Sequence, residues 1–184
     1  LLKDNDTILL IIDAQEKLIN GVINTEEVVW NIERIIDASK VLGIGIIYSE
    51  QNPTKLGKTL NNLTSNKKVN SYSKLSFSCC DNENLMKFIE SERKSNILIC
   101  GVETHVCVQQ TCIDLLSKGY VPHVVVDAVS SRKSIDHKIS IRKLELSGVI
   151  LSTTESAIFE LCSTADRPEF KKISGIIKKS PPNI

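Results

Sequence analysis

The chain has 184 residues, 41% of them apolar and 24% charged, with a formal net charge of +1. That is enough chain for one compact domain over residues 1–184 with a good core, and the near-neutral charge points to neither nucleic acid nor an acidic partner. No apolar run reaches the roughly 18 residues of a membrane span, so a cytoplasmic protein is expected.

Short apolar runs alternate with amphipathic segments. "TILLIID" (7–13) reads as a buried strand ending in Asp13, and residues 26–42 carry an apolar helical face built from Val28, Val29, Ile32, Ile35, Ile36 and Leu42. A glycine stop precedes a second strand at about 44–49. The polar stretch 51–66 reads as a loop or short helix, followed by a weak third strand near 68–72. Residues 81–93 form a helix with Asp81 as its N-cap. A strand at 96–101 and a helix at 104–118 follow. Then come a strand at 120–131, a helix at 134–148, a strand at 149–153, and closing helices at 154–162 and 168–178.

This alternation implies an α/β fold: a three-layer, doubly wound sheet of about six mostly parallel strands with helices on both faces. In such sheets ligands bind beyond the carboxyl ends of the strands. Asp13, Glu50 with Gln51, the segment Gly101–Cys107 and the segment Asp127–Arg132 all fall there.

Six cysteines stand at 79, 80, 100, 107, 112 and 162. None forms CxxC and no histidine has zinc-finger spacing, so free thiols in a reducing compartment are expected. Cys100 and Cys112 read as packing residues, since free cysteine is often buried. Cys107 differs: it falls where a buried strand turns into a helix, with Thr104 as a cap. A helix N-terminus favours an anion, so the position argues for a lowered thiol pKa. His105 lies two residues away and points elsewhere. Asp13 is the better-placed base.

Three segments together, "IIDAQEKL" (11–18), "SKLSFS" (73–78) and "GVETHVCVQQT" (101–111), resemble the isochorismatase-like cysteine hydrolases, which include nicotinamidases and N-carbamoylsarcosine amidohydrolase. The resemblance runs over nearly the whole chain and looks closest to a branch whose natural substrates are mostly unassigned. It implies a catalytic triad of Asp13, Lys74 and Cys107, a cis peptide between Val102 and Glu103, and an oxyanion hole from the N–H groups of Glu103 and Cys107. It also implies supporting or substrate-pocket roles for Gln15, Gln51, Val102 and Thr104. The implied reaction is C–N cleavage of a small-molecule amide through a thioester. The alternatives are vinyl ether hydrolysis of the isochorismatase type, without Cys107 as nucleophile, and a non-catalytic scaffold or thiol redox sensor.

Nicotinamidases carry an Asp and a His for a metal after the second strand. Here that stretch is Glu50-Gln51-Asn52-Pro53, so no metal and no cofactor are expected. A homo-oligomer is expected, because Trp30 lies off its helix's apolar stripe and Ile158, Phe159 and Leu161 form an apolar cluster.

Overall fold

The computed structural model describes residues 1–64 and 69–181. Six strands form one sheet: β1 (Thr7–Ile12), β2 (Gly45–Gln51), β3 (Ser71–Lys74), β4 (Asn96–Val102), β5 (Val121–Ser130) and β6 (Ile150–Ser152). Their order across the sheet is β3-β2-β1-β4-β5-β6, and every pairing is parallel. The sheet is doubly wound about β1.

Nine α-helical segments lie among the described residues: α1 (Glu16–Ile19), α2 (Thr25–Leu42), α3 (Pro53–Leu56), α4 (Asn61–Thr64), α5 (Glu83–Glu92), α6 (Gln109–Ser117), α7 (Ser134–Leu146), α8 (Thr154–Cys162) and α9 (Phe170–Ile177). Strand side chains alternate between the sheet's two faces. Leu9 and Ile11 therefore pack with Ile32 and Ile35 of α2, with Ile158 of α8 and with Ile173 of α9. Ile8, Leu10 and Ile12 pack with Leu85 of α5, Leu115 of α6 and Leu144 of α7 on the other face. Each β1 residue is fully buried between the two helical layers, which explains its unbroken apolar run. Gly43 ends α2 in a left-handed conformation, with its N–H on Lys40 O and the Ile44 N–H on Ser39 O.

Several sequence expectations need correction. The cap of α5 is Asn82, whose side chain accepts from the Leu85 N–H at 2.9 Å; Asp81 belongs to a 3₁₀ turn, Cys79–Asp81. The third strand is Ser71–Lys74, later than the expected 68–72, and residue 68 of that stretch lies outside the described residues. The stretch after β2 holds two single-turn helices, α3 and α4. The helix expected at 104–118 is two elements, a π-helical turn at Thr104–Val108 and then α6. The apolar group 158–161 is mostly core, with Ile158 and Leu161 buried and Phe159 partly exposed. Trp30 is half-buried beneath the Arg34 guanidinium, 4.3 Å from its ring centre.

Among the described residues no helix is long and apolar enough to cross a membrane.

Candidate active site

Asp13 is the first residue past β1 and the start of the site. Its backbone turns to φ 48°, rare for a non-glycine residue, while its N–H bonds to Ser49 O at 3.2 Å. The side chain is fully buried, and both carboxylate oxygens are held. Oδ1 accepts from Ser49 Oγ at 2.7 Å, and Oδ2 accepts from Lys74 Nζ at 2.7 Å.

Lys74 ends the edge strand β3, yet its side chain is only 1% exposed. Its ammonium also donates to Gln51 Oε1 at 2.8 Å, Phe77 O at 3.0 Å and Ser76 O at 3.3 Å. Burial, the largest single influence, lowers its pKa, but the Asp13 charge and hydrogen bond together with the facing Cys79 and Cys107 thiols outweigh it, and the net shift is upward. The pair is therefore a buried ammonium against a carboxylate, with its remaining protons satisfied.

The two glutamines act one layer further out. Gln15 Oε1 accepts from the Gln51 N–H at 2.6 Å, and Gln15 Nε2 donates to Gln51 O at 3.0 Å and Gly57 O at 2.6 Å. Gln15 thus fixes the end of β2 and makes no side-chain bond to the Asp13 carboxylate. Gln51 in turn holds Lys74, and its Nε2 donates to Leu75 O at 2.8 Å. Gln15 is fully buried, whereas Gln51 is half-buried.

Cys107 approaches from the far side of β1, on the π-turn that links β4 to α6. Such turns recur at functional sites. Two features set up the turn. Gly101 lies opposite Ile12 with φ +116°, where a Cβ would sit 2.0 Å from Ile12 O. The Val102–Glu103 peptide bond is cis. The turn is then pinned from several directions. The N–H groups of Val106 and Val108 bond to Glu103 O at 3.1 and 3.3 Å. The Glu103 carboxylate accepts from Arg132 Nε at 2.9 Å. Thr104 O accepts from Ser140 Oγ at 2.9 Å, and Thr104 Oγ1 pairs with His137 Nδ1 at 3.0 Å. His105 Nδ1 pairs with Ser131 Oγ at 2.9 Å.

One expected role changes here. Thr104 does not cap a helix: Glu103 occupies the start of the turn, and the Thr104 hydroxyl is buried against α7. Val102 is fully buried in the core. Both support the turn from behind.

The thiol itself is 5% exposed. Burial pushes its pKa well up. The neighbouring Asp13 charge and the hydrogen bond between thiol and carboxylate push the same way, against a smaller opposing pull from Lys74. The helix-terminus argument from sequence pointed the other way. It loses because the sulfur is desolvated and faces an anion. Burial and the facing carboxylate both favour the neutral thiol over the thiolate.

Sequence reasoning missed two neighbours. Ser49 is one, and its signal was available as a small polar side chain inside the otherwise apolar run "IIYSE". Cys79 is the other. It is fully buried, with hydrogen bonds to Ser49 and Thr111, and its thiol is pushed up to about 11 by burial and then by Asp13. All six cysteines are unpaired and buried.

The metal set of nicotinamidases does not fit here. Glu50 Oε1 accepts from the Thr59 N–H at 2.8 Å and from Thr59 Oγ1 at 2.9 Å. Among the described residues no three His, Cys, Asp or Glu side chains converge as a metal set.

The model of the isochorismatase domain matches residues 7–156, a span that takes in Asp13, Lys74 and Cys107. The chain belongs to the isochorismatase family. A Phytophthora sojae relative, named a secreted isochorismatase effector, is 36% identical over 181 residues, covering 95% of this chain and 86% of the relative. Isochorismatase domain-containing protein 2 of Xenopus laevis is 34% identical over 187 residues, covering 99% and 88%. Among solved structures, the MAR1 ribonuclease of Caenorhabditis elegans superposes with a TM-score of 0.92 at 34% identity, covering 99% of this chain and 94% of that one. The fold shared with that structure thus runs from β1 to α9 in this chain.

Proposed function

We propose that this isochorismatase-family protein is a cysteine hydrolase that cleaves the C–N bond of a small amide through a thioester on Cys107. The observation that carries the reading is the buried carboxylate of Asp13, held by Lys74 at 2.7 Å, with both charges close enough to the Cys107 thiol to act on it.

In this reading the thiol proton passes to Asp13 as sulfur attacks the substrate carbonyl. The carbonyl π electrons move to oxygen, and the N–H groups of Glu103 and Cys107 hold that oxyanion. Collapse of the tetrahedral intermediate breaks the C–N bond, and Asp13 returns the proton to the leaving amine. A water molecule then gives its proton to Asp13 and attacks the thioester. The acid departs, and the thiolate recovers the proton. Lys74 holds its positive charge against Asp13 at 2.7 Å throughout. Ser49 and Lys74 fix one oxygen each, so the carboxylate cannot rotate away from the sulfur.

The test is a panel of small amides and ureides, with vinyl ethers and RNA assayed in parallel. Intact-mass spectrometry after rapid quench follows the acyl group. The expected result is amine release with a covalent acyl mass on Cys107, absent in Cys107→Ser. Turnover of an amide by Cys107→Ser at the wild-type rate would overturn the nucleophile assignment. Turnover of only the vinyl ether or the RNA would overturn the amide assignment.

A further inference from the structure

The outward face of α7 is apolar where a solvated helix should be polar. Ile135, Ile139 and Leu146 are 62%, 58% and 79% exposed. With Arg142 they follow the i, i+4, i+7, i+11 spacing of a single stripe. The opposite face of the same helix is committed inward, through Ser140, Leu144 and the His137–Thr104 contact.

The charges beside the stripe are ordered. One flank carries Asp136 and then Lys143. The other carries Lys138 and then Glu145. Each flank thus holds one acid and one base seven residues apart, in reversed order on the two sides. Among the described residues none of these four side chains forms an ion pair within the chain.

We propose that this face is a self-association surface, on which α7 of a second copy lies antiparallel about a two-fold axis near Ser140. In an antiparallel helix pair each flank meets the same flank of its partner. Asp136 then faces Lys143 of the second copy and Lys138 faces its Glu145, each contact occurring twice by symmetry. Ile135 packs on Leu146, and Ile139 packs on the aliphatic stem of Arg142. A parallel pairing would also match the flank charges but would set Arg142 against its own copy, which disfavours it. The apolar surface continues past Lys138 into a recess of about 690 Å³ walled by Val126, Ile141 and Leu151. That lets the contact grow toward the roughly 800 Å² per partner that stable interfaces bury. The interface would stand one helix away from the Cys107 turn, which α7 braces through His137 and Ser140.

Sedimentation velocity on the full chain across a concentration series tests this. Wild type is expected to associate. Ile139→Glu should at least halve the mass while circular dichroism stays unchanged. Asp136→Lys and Lys143→Asp should each weaken association about tenfold or more, and the double reversal Asp136→Lys/Lys143→Asp should restore it. A monomeric wild type, an assembly indifferent to Ile139→Glu, or a double reversal as weak as the single changes would each overturn the proposal.

Discussion

Lys74 Nζ lies 2.7 Å from Asp13 Oδ2, and both side chains are shut off from solvent. Removing one member of such a pair strands the other charge in a low-dielectric interior. Lys74→Met is therefore expected to lower stability by about 3–5 kcal/mol, measured by urea denaturation. It should also raise the Cys107 thiol pKa further, because the Lys74 charge is the pull that opposes burial. A stability change near zero would mean that the pair is looser than the geometry indicates.

Asp13→Asn should produce two effects of opposite appearance. The Asp13 charge and its hydrogen bond both raise the Cys107 pKa, so their loss should lower it and make the thiolate easier to form. Turnover should nevertheless fall by about a hundredfold or more, because the proton shuttle is gone. Thiolate absorbance across a pH titration and steady-state kinetics on one sample check both halves.

Gly101→Ala should be among the most damaging single changes. The added Cβ would sit 2.0 Å from Ile12 O on a backbone at φ +116°, so β1 and β4 could not keep their register. An expected loss of about 3 kcal/mol or more follows from overpacking and backbone strain together. Thermal denaturation measures it, and activity should fall with it because the thiol turn begins at this residue.

Alkaline stability should follow the thiols. Burial raises five of them above the ordinary 9.0, with Cys79 at about 11 and Cys80 at about 12. Above pH 9 the unfolded chain releases protons that the folded chain keeps. Stability is thus fully present below about pH 9 and is lost as pH rises toward the folded values, by up to about 1.4 kcal/mol per pH unit for each thiol. Lys74, also raised, adds to the same trend at higher pH. Urea midpoints measured from pH 7 to 11 should be flat at first and then fall steeply.

Turnover of whichever amide the panel yields is expected to survive dialysis against EDTA and a zinc-specific chelator, with metal content followed by mass spectrometry. The reason is the donor set: Glu50 is committed to Thr59, and amides flank it. Activity that vanished and returned only with added zinc or manganese would bring the metal back into the mechanism.

The layered fold was legible in the sequence because apolar strand runs and amphipathic helices carry different periods. Asp13, Lys74 and Cys107 were legible as parts of a resemblance, and Asp13 also from its place at the end of a buried run. What escaped were properties of three-dimensional packing. Ser49 and Gln51 acquire their partners from strands that meet only in the sheet. The acidity of Cys107 was misjudged because a helix terminus is visible in sequence, whereas desolvation and a facing carboxylate are not. The role of Thr104 was misread for a related reason: its partner, His137, lies on another element, and no local spacing announces it.

The four strands whose ends carry Lys74, Ser49 with Gln51, Asp13 and the Cys107 turn lie side by side as β3-β2-β1-β4. Chain order visits them as β1, β2, β3, β4, so the residues nearest in space are recruited across long separations, 61 positions between Asp13 and Lys74. No contiguous fragment shorter than the span from β1 to the thiol turn holds all the parts. A ribosome that has not yet released β4 therefore carries an ordinary cysteine chain. The site is complete only when the fourth strand lies against β1 and its turn stands beside Asp13.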